Sequence, residues 1–103
     1  MLQLNNMING KLVPSESGEK IEVFNPFNQE VVGTVPKSTK KDVDDALRSS
    51  KKAQKEWAKI PAQKRGEYLL EIAGLIDKHK EELSVLLTRE HGKTIVQARG
   101  EVE

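Results

Sequence analysis

The sequence contains no cysteine. Disulfides, cysteine-based metal sites and thiol nucleophiles are therefore excluded together. Aromatic residues are nearly as scarce, two Phe, one Trp and one Tyr in 103 residues, too few for a stacking platform. Trp57 and Tyr68 read instead as core or core-edge residues. An excess of one charge is also missing. Lys and Arg number 17 against 16 Asp and Glu, a net charge of +1, so nothing favours phosphate backbones or anionic lipid, and no nucleic-acid partner is expected. No window approaches the roughly 18 apolar residues of a membrane span. The opening run Met1-Leu2-Gln3-Leu4-Asn5-Asn6 has no basic leader followed by an apolar segment, so the chain is expected to be cytoplasmic. With 36% hydrophobic residues, 103 residues suffice for one modest domain with a small core.

What is present is local patterning. Asn9 and Gly10 both tolerate positive φ and are flanked by apolar residues, which predicts a two-residue hairpin turn. Pro14 to Gly18 is loop by composition. From Lys20 the residues alternate, Ile21 and Val23 on one face and Glu22 and Phe24 on the other, as in a half-buried strand. Asn25-Pro26 ends it, and the chain turns into a second strand, Val31 to Val35. The expected result is a small antiparallel β unit over residues 1–36.

Residues 37–103 read as helical. Thr39-Lys40-Lys41-Asp42 has the form of a capping box, followed by Val43, Ala46, Leu47, Ser50, Ala53 and Trp57 at helical spacing. This helix should stop near Lys59, with Pro61 in the first turn of the next. Leu69, Ile72, Ala73, Ile76, Leu83, Leu86 and Leu87 then recur three or four apart. Leu69, Ile72, Ile76, Leu83 and Leu87 are the expected core, with Val43, Leu47 and Trp57 packed on them. The polar interval Asp77 to Glu82 leaves open whether this stretch is one helix or two. Gly92 suits a left-handed cap, and Thr94 to Gln97 opens a last helix. The fold class is α+β, a short antiparallel hairpin and strands followed by three or four helices.

Catalytic candidates are few. His79 lies among charged residues with no second ligand at metal spacing, and His91 is placed to face a helix C-terminus. Asp42, Asp44, Asp45, Glu81 and Glu82 have Lys neighbours and read as helix-surface charge. Gly92-Lys93-Thr94 lacks the first glycine and the preceding strand of a phosphate loop.

The motifs taken together resemble a known family. Ile8-Asn9-Gly10-Lys11, Ile21-Glu22-Val23-Phe24-Asn25-Pro26, Glu30 to Pro36, Asp42-Val43, Trp57, Arg65, Leu83 and Glu90-His91-Gly92-Lys93 stand in the order and spacing of the start of the NAD(P)-dependent aldehyde dehydrogenase superfamily. The lactaldehyde, semialdehyde and non-phosphorylating glyceraldehyde-3-phosphate branches look nearest. The resemblance implies the opening part of an α/β, Rossmann-like coenzyme-binding domain. It also implies a longer parent enzyme that uses a cysteine thiolate, a glutamate and NAD or NADP to oxidise an aldehyde. No catalytic and no cofactor-binding residue of that machinery falls within this chain, so no coenzyme is expected to bind it alone. The resemblance further implies a monovalent cation held by the carbonyls of Val23 and Phe24 and the carboxylate of Glu90.

Two hypotheses follow. In the first, the chain is an N-terminal fragment of such an oxidoreductase, inactive alone, whose partner is the remainder of the dehydrogenase chain. The helix opened by Thr94 carries Ile95, Ala98 and Val102 at core spacing and reaches Glu103 with no stop signal, in keeping with that reading. In the second, the chain is a free-standing, non-catalytic α+β module that binds a protein partner or itself through the Ile95, Ala98, Val102 face.

Overall fold

Asn9 and Gly10 take φ of 53° and 73°, and the chain doubles back on them. In this computed structural model, which describes residues 2–103, the turn joins β2 (Asn6–Ile8) to β3 (Lys11–Val13) as an antiparallel pair, with Ile8 opposite Lys11. Met1, the first residue of the run without a basic leader, lies outside the described residues. The helices are α1 (Lys40–Trp57), α2 (Ala62–Lys78), α3 (Lys80–His91) and α4 (Ile95–Val102). The architecture is α+β, as the patterning predicts.

The β structure departs from the purely antiparallel unit expected. A second sheet has the order β1-β5-β4, built from β1 (Leu2–Gln3), β4 (Lys20–Phe24) and β5 (Val31–Pro36), and β1 runs parallel to β5 with Leu2 opposite Gly33. Two residues carry too little periodicity for a strand to be read, and their pairing partner lies about thirty residues away in sequence. Between β4 and β5, the Asn25 amide donates to the Glu30 carbonyl (2.8 Å) and the Asn25 side chain accepts from the Phe27 amide (2.9 Å), so the turn over residues 25–30 forms as expected.

The helix ends follow local chemistry. Thr39 and Asp42 complete a reciprocal capping box at α1. The open question of residues 77–82 resolves into two helices, with His79 between α2 and α3 at φ −102°, ψ 18°. Pro61 is the cap of α2 rather than a residue of its first turn. Gly92 adopts the left-handed conformation after α3, and the Thr94 hydroxyl accepts from the Gln97 amide to start α4.

By compactness the chain divides into two units, residues 1–23 with 31–60, and residues 24–30 with 61–103. In this grouping α1 goes with the strands, and the 25–30 turn goes with the later helices.

The expected core requires correction. Leu69 is 64% exposed, Leu47 64% and Val43 51%, and Ile72, Ile76, Leu83 and Trp57 are exposed as well. Leu87 is half-buried. No residue of α2 is buried. The spacing of these residues dictates a face that favours burial, but only neighbouring chain can bury it. In the second unit the helix–helix packing is instead centred on α3 and α4, where Ser84 and Ala98 are each 0% exposed. Ala98 is the only buried apolar side chain among the described residues. Ile95 and Val102 are half-buried on the same helix, which packs against α3.

Candidate functional site

Asp42 joins the start of α1 to the loop before β4 in the first unit. The pattern of surrounding lysines places it on the helix surface; the structure buries it to 7% exposure. Its carboxylate accepts from the Thr39 amide (2.7 Å), from the Glu16 amide (3.0 and 3.2 Å to its two oxygens) and from the Thr39 hydroxyl (3.2 Å). The Thr39 amide, above all, holds the Asp42 carboxyl below the ordinary carboxylate range; the Glu16 amide and the Thr39 hydroxyl assist, and burial opposes them. The sequence signal for Asp42 is its place in the capping box. Its tie to Glu16, twenty-six residues earlier, has no sequence signal.

This arrangement bears on nucleotide binding. α1 is the helix that follows β5, and its N-terminus is where a pyrophosphate would meet free amides. Here the Asp42 amide is taken by the Thr39 hydroxyl, and the Asp42 carboxylate, which accepts from the Thr39 amide, already places a negative charge at this helix end. At α4 the Gln97 amide is taken by Thr94.

Other charged candidates are held in hydrogen bonds or ion pairs. His79 is exposed at the α2–α3 junction, with Nδ1 3.2 Å from the Glu82 carboxylate. Lys93 pairs with the carboxylate of Glu101. Glu81 and Arg99 form a two-point pair between α3 and α4, Oε2 to Nε at 3.0 Å and Oε1 to Nη2 at 2.7 Å. The Arg99 hydrogen bond lowers the Glu81 carboxyl, and the Glu81 hydrogen bond raises Arg99 in turn. Among the described residues no three His, Asp or Glu side chains come together in a way that could hold a metal.

Phe24 ends β4 and is exposed, Val23 before it is half-buried, and Glu90 is exposed in the last turn of α3. In the second unit the 25–30 turn meets the end of α3. A Cβ on Gly92 would lie 2.7 Å from Pro26 Cγ, so the ring sits directly on the glycine that terminates the helix. Val23 belongs to the other compact unit.

Comparison with known proteins gives a consistent result. The profile described as "Aldehyde dehydrogenase family" matches residues 12–103. Malonate-semialdehyde dehydrogenase 1 of Geobacillus kaustophilus (strain HTA426) is 41% identical over 100 residues, which cover 97% of this chain and 20% of that protein. Alpha-ketoglutaric semialdehyde dehydrogenase of Bacillus subtilis (strain 168) is 39% identical over 97 residues, covering 93% of this chain and 20% of its own length. Among solved structures, the NADP-dependent glyceraldehyde-3-phosphate dehydrogenase of Bacillus halodurans C-125, complexed with NADP, superposes with a TM-score of 0.97 at 32% identity over 99% of this chain and 21% of that one. The chain thus spans about one fifth of the length of its relatives. A family match over residues 12–103, with relatives 39–41% identical and a backbone superposition at a TM-score of 0.97, shows that the chain belongs to the aldehyde dehydrogenase family.

Proposed function

We propose that this chain is the N-terminal scaffold segment of an oxidoreductase that converts an aldehyde to a carboxylic acid with NAD or NADP, and that it is inert alone. The observation that carries the reading is α2, a helix with an apolar stripe at core spacing and no buried residue, in a chain one fifth as long as its relatives. A stripe of that kind is stabilised when further polypeptide covers it. The partner is accordingly the remainder of the dehydrogenase. Two relatives named as semialdehyde dehydrogenases support a semialdehyde as the substrate class.

Inertness follows from chemistry. A thiolate adduct needs a thiol, and the chain has none. Lys93, engaged by Glu101, is no substitute nucleophile. The cation reading carries forward in a narrower form, with the Phe24 carbonyl and the Glu90 carboxylate, both in the second unit, as its ligands. The seating of Pro26 on Gly92 supports it, because it brings the segment after Phe24 to the end of the helix that bears Glu90.

Calorimetric titration of the chain with NAD and NADP, with an assay on a panel of semialdehydes, tests the proposal. No binding and no turnover are expected. Stoichiometric coenzyme binding at micromolar concentration, or turnover abolished by Lys93→Ala, overturns it. For the cation, a crystal structure with Glu90 directed away from the Phe24 carbonyl ends the idea.

A further inference from the structure

We propose that Asn9 is a site of intrinsic deamidation, converted to aspartate and isoaspartate through a cyclic imide with Gly10. The chain has five asparagines, and Asn9 is the one followed by glycine. In the cyclisation the Gly10 backbone nitrogen loses its proton and bonds to Asn9 Cγ, the Cγ–Nδ2 bond breaks, and ammonia leaves. Water then opens the imide at either carbonyl. A Cβ on the following residue hinders the attack, and Gly10 has none; among the described residues other than its two chain neighbours, nothing would lie within 4 Å of one placed there.

The structure separates Asn9 from the others. Asn25 precedes Pro26, which has no N–H to lose. The Asn6 side chain donates to the Ser38 hydroxyl (2.9 Å), and the Asn28 side chain accepts from the Glu30 amide (3.0 Å). Asn5 is exposed, but the side chain of Asn6 follows it. Asn9 and Gly10 are both exposed at the tip of a two-stranded hairpin of three residues per strand, which opens more readily than a wider sheet. Asparagine is a thermolabile residue for this reason.

The products alter this tip. A carboxylate at position 9 faces a cleft of about 460 Å³ between the hairpin and α1, which Asp45, Arg48, Lys52 and Glu56 also line. The isoaspartate form adds one backbone carbon to a turn whose two-residue length sets the Ile8–Lys11 register, and so disrupts the pairing.

The 103-residue chain is aged in mildly alkaline buffer under folding conditions, and its peptides are mapped for the amide-to-acid mass shift and for isoaspartate. Conversion at Asn9 is expected to outrun that at Asn5, Asn6 and Asn28, to slow in Gly10→Ala, and to disappear with its share of released ammonia in Asn9→Gln. The comparison within the wild-type molecule needs no variant to fold. Conversion at Asn9 no faster than at Asn5 overturns the proposal, as does conversion seen only in denaturant.

Discussion

The Cβ position of Gly33 lies 2.6 Å from the carbonyl oxygen of Leu2. The obstruction is main chain on both sides, so it cannot be relieved by a rotamer change. Gly33→Ala is expected to displace β1 from β5 and to cost about 1–3 kcal/mol, the usual range for overpacking. The Leu4 amide, which donates to the Thr34 carbonyl at 3.0 Å, should lose its protection from hydrogen exchange. Retained protection at Leu4 in the variant would show that the β1 pairing tolerates a side chain.

Asp42 gives the first unit an acid dependence of known sign. Its folded pKa is lowered, so the unfolded chain binds more protons between the folded and ordinary values, and stability rises with pH there. The contribution is complete above the ordinary carboxylate range and is lost as pH falls through the folded value. Asp42→Ala should therefore melt below the wild type at neutral pH, with the two melting temperatures converging in acid. Parallel curves would show that the carboxylate contributes by packing rather than by charge.

Ala98 occupies a position with no spare room, at 0% exposure in the α3–α4 pair. Ala98→Leu should lower stability by about 1–3 kcal/mol and release the amides of α4 to exchange. Ser84→Ala, by contrast, removes a hydroxyl whose bond to the Lys80 carbonyl stays within its own helix, and should cost no more than about 1 kcal/mol. Denaturant titration of both variants separates a packing contact from a local hydrogen bond. Equal losses would place the pair's stability elsewhere.

Leu69 tests the scaffold reading. In this chain, where it is 64% exposed, Leu69→Ala should change stability by no more than about 0.5 kcal/mol. In the longer enzyme proposed above, where the stripe is covered, the same change should cost about 2–5 kcal/mol. The uncovered stripe should also bind an apolar dye and promote association at high concentration. A strictly monomeric chain that binds no dye would contradict the exposure of α2.

Local interactions were legible in the sequence because they join residues a few positions apart. The Asn9-Gly10 turn, the Asn25–Glu30 turn, the Thr39–Asp42 box, the Gly92 cap and the Thr94 cap each depend on backbone geometry and hydrogen bonds within about six residues. The family resemblance was legible for the same reason, since its motifs are those turns and caps in order. Tertiary structure alone decided the parallel pairing of Leu2 with Gly33, the burial of Asp42 under Glu16, and the break at His79. It also decided which apolar face is covered. Periodicity shows that Leu69, Ile72 and Ile76 share a side of α2, just as it shows that Ile95, Ala98 and Val102 share a side of α4. Burial requires a second surface, and within these residues α3 supplies one to Ala98 while no residue of α2 becomes buried.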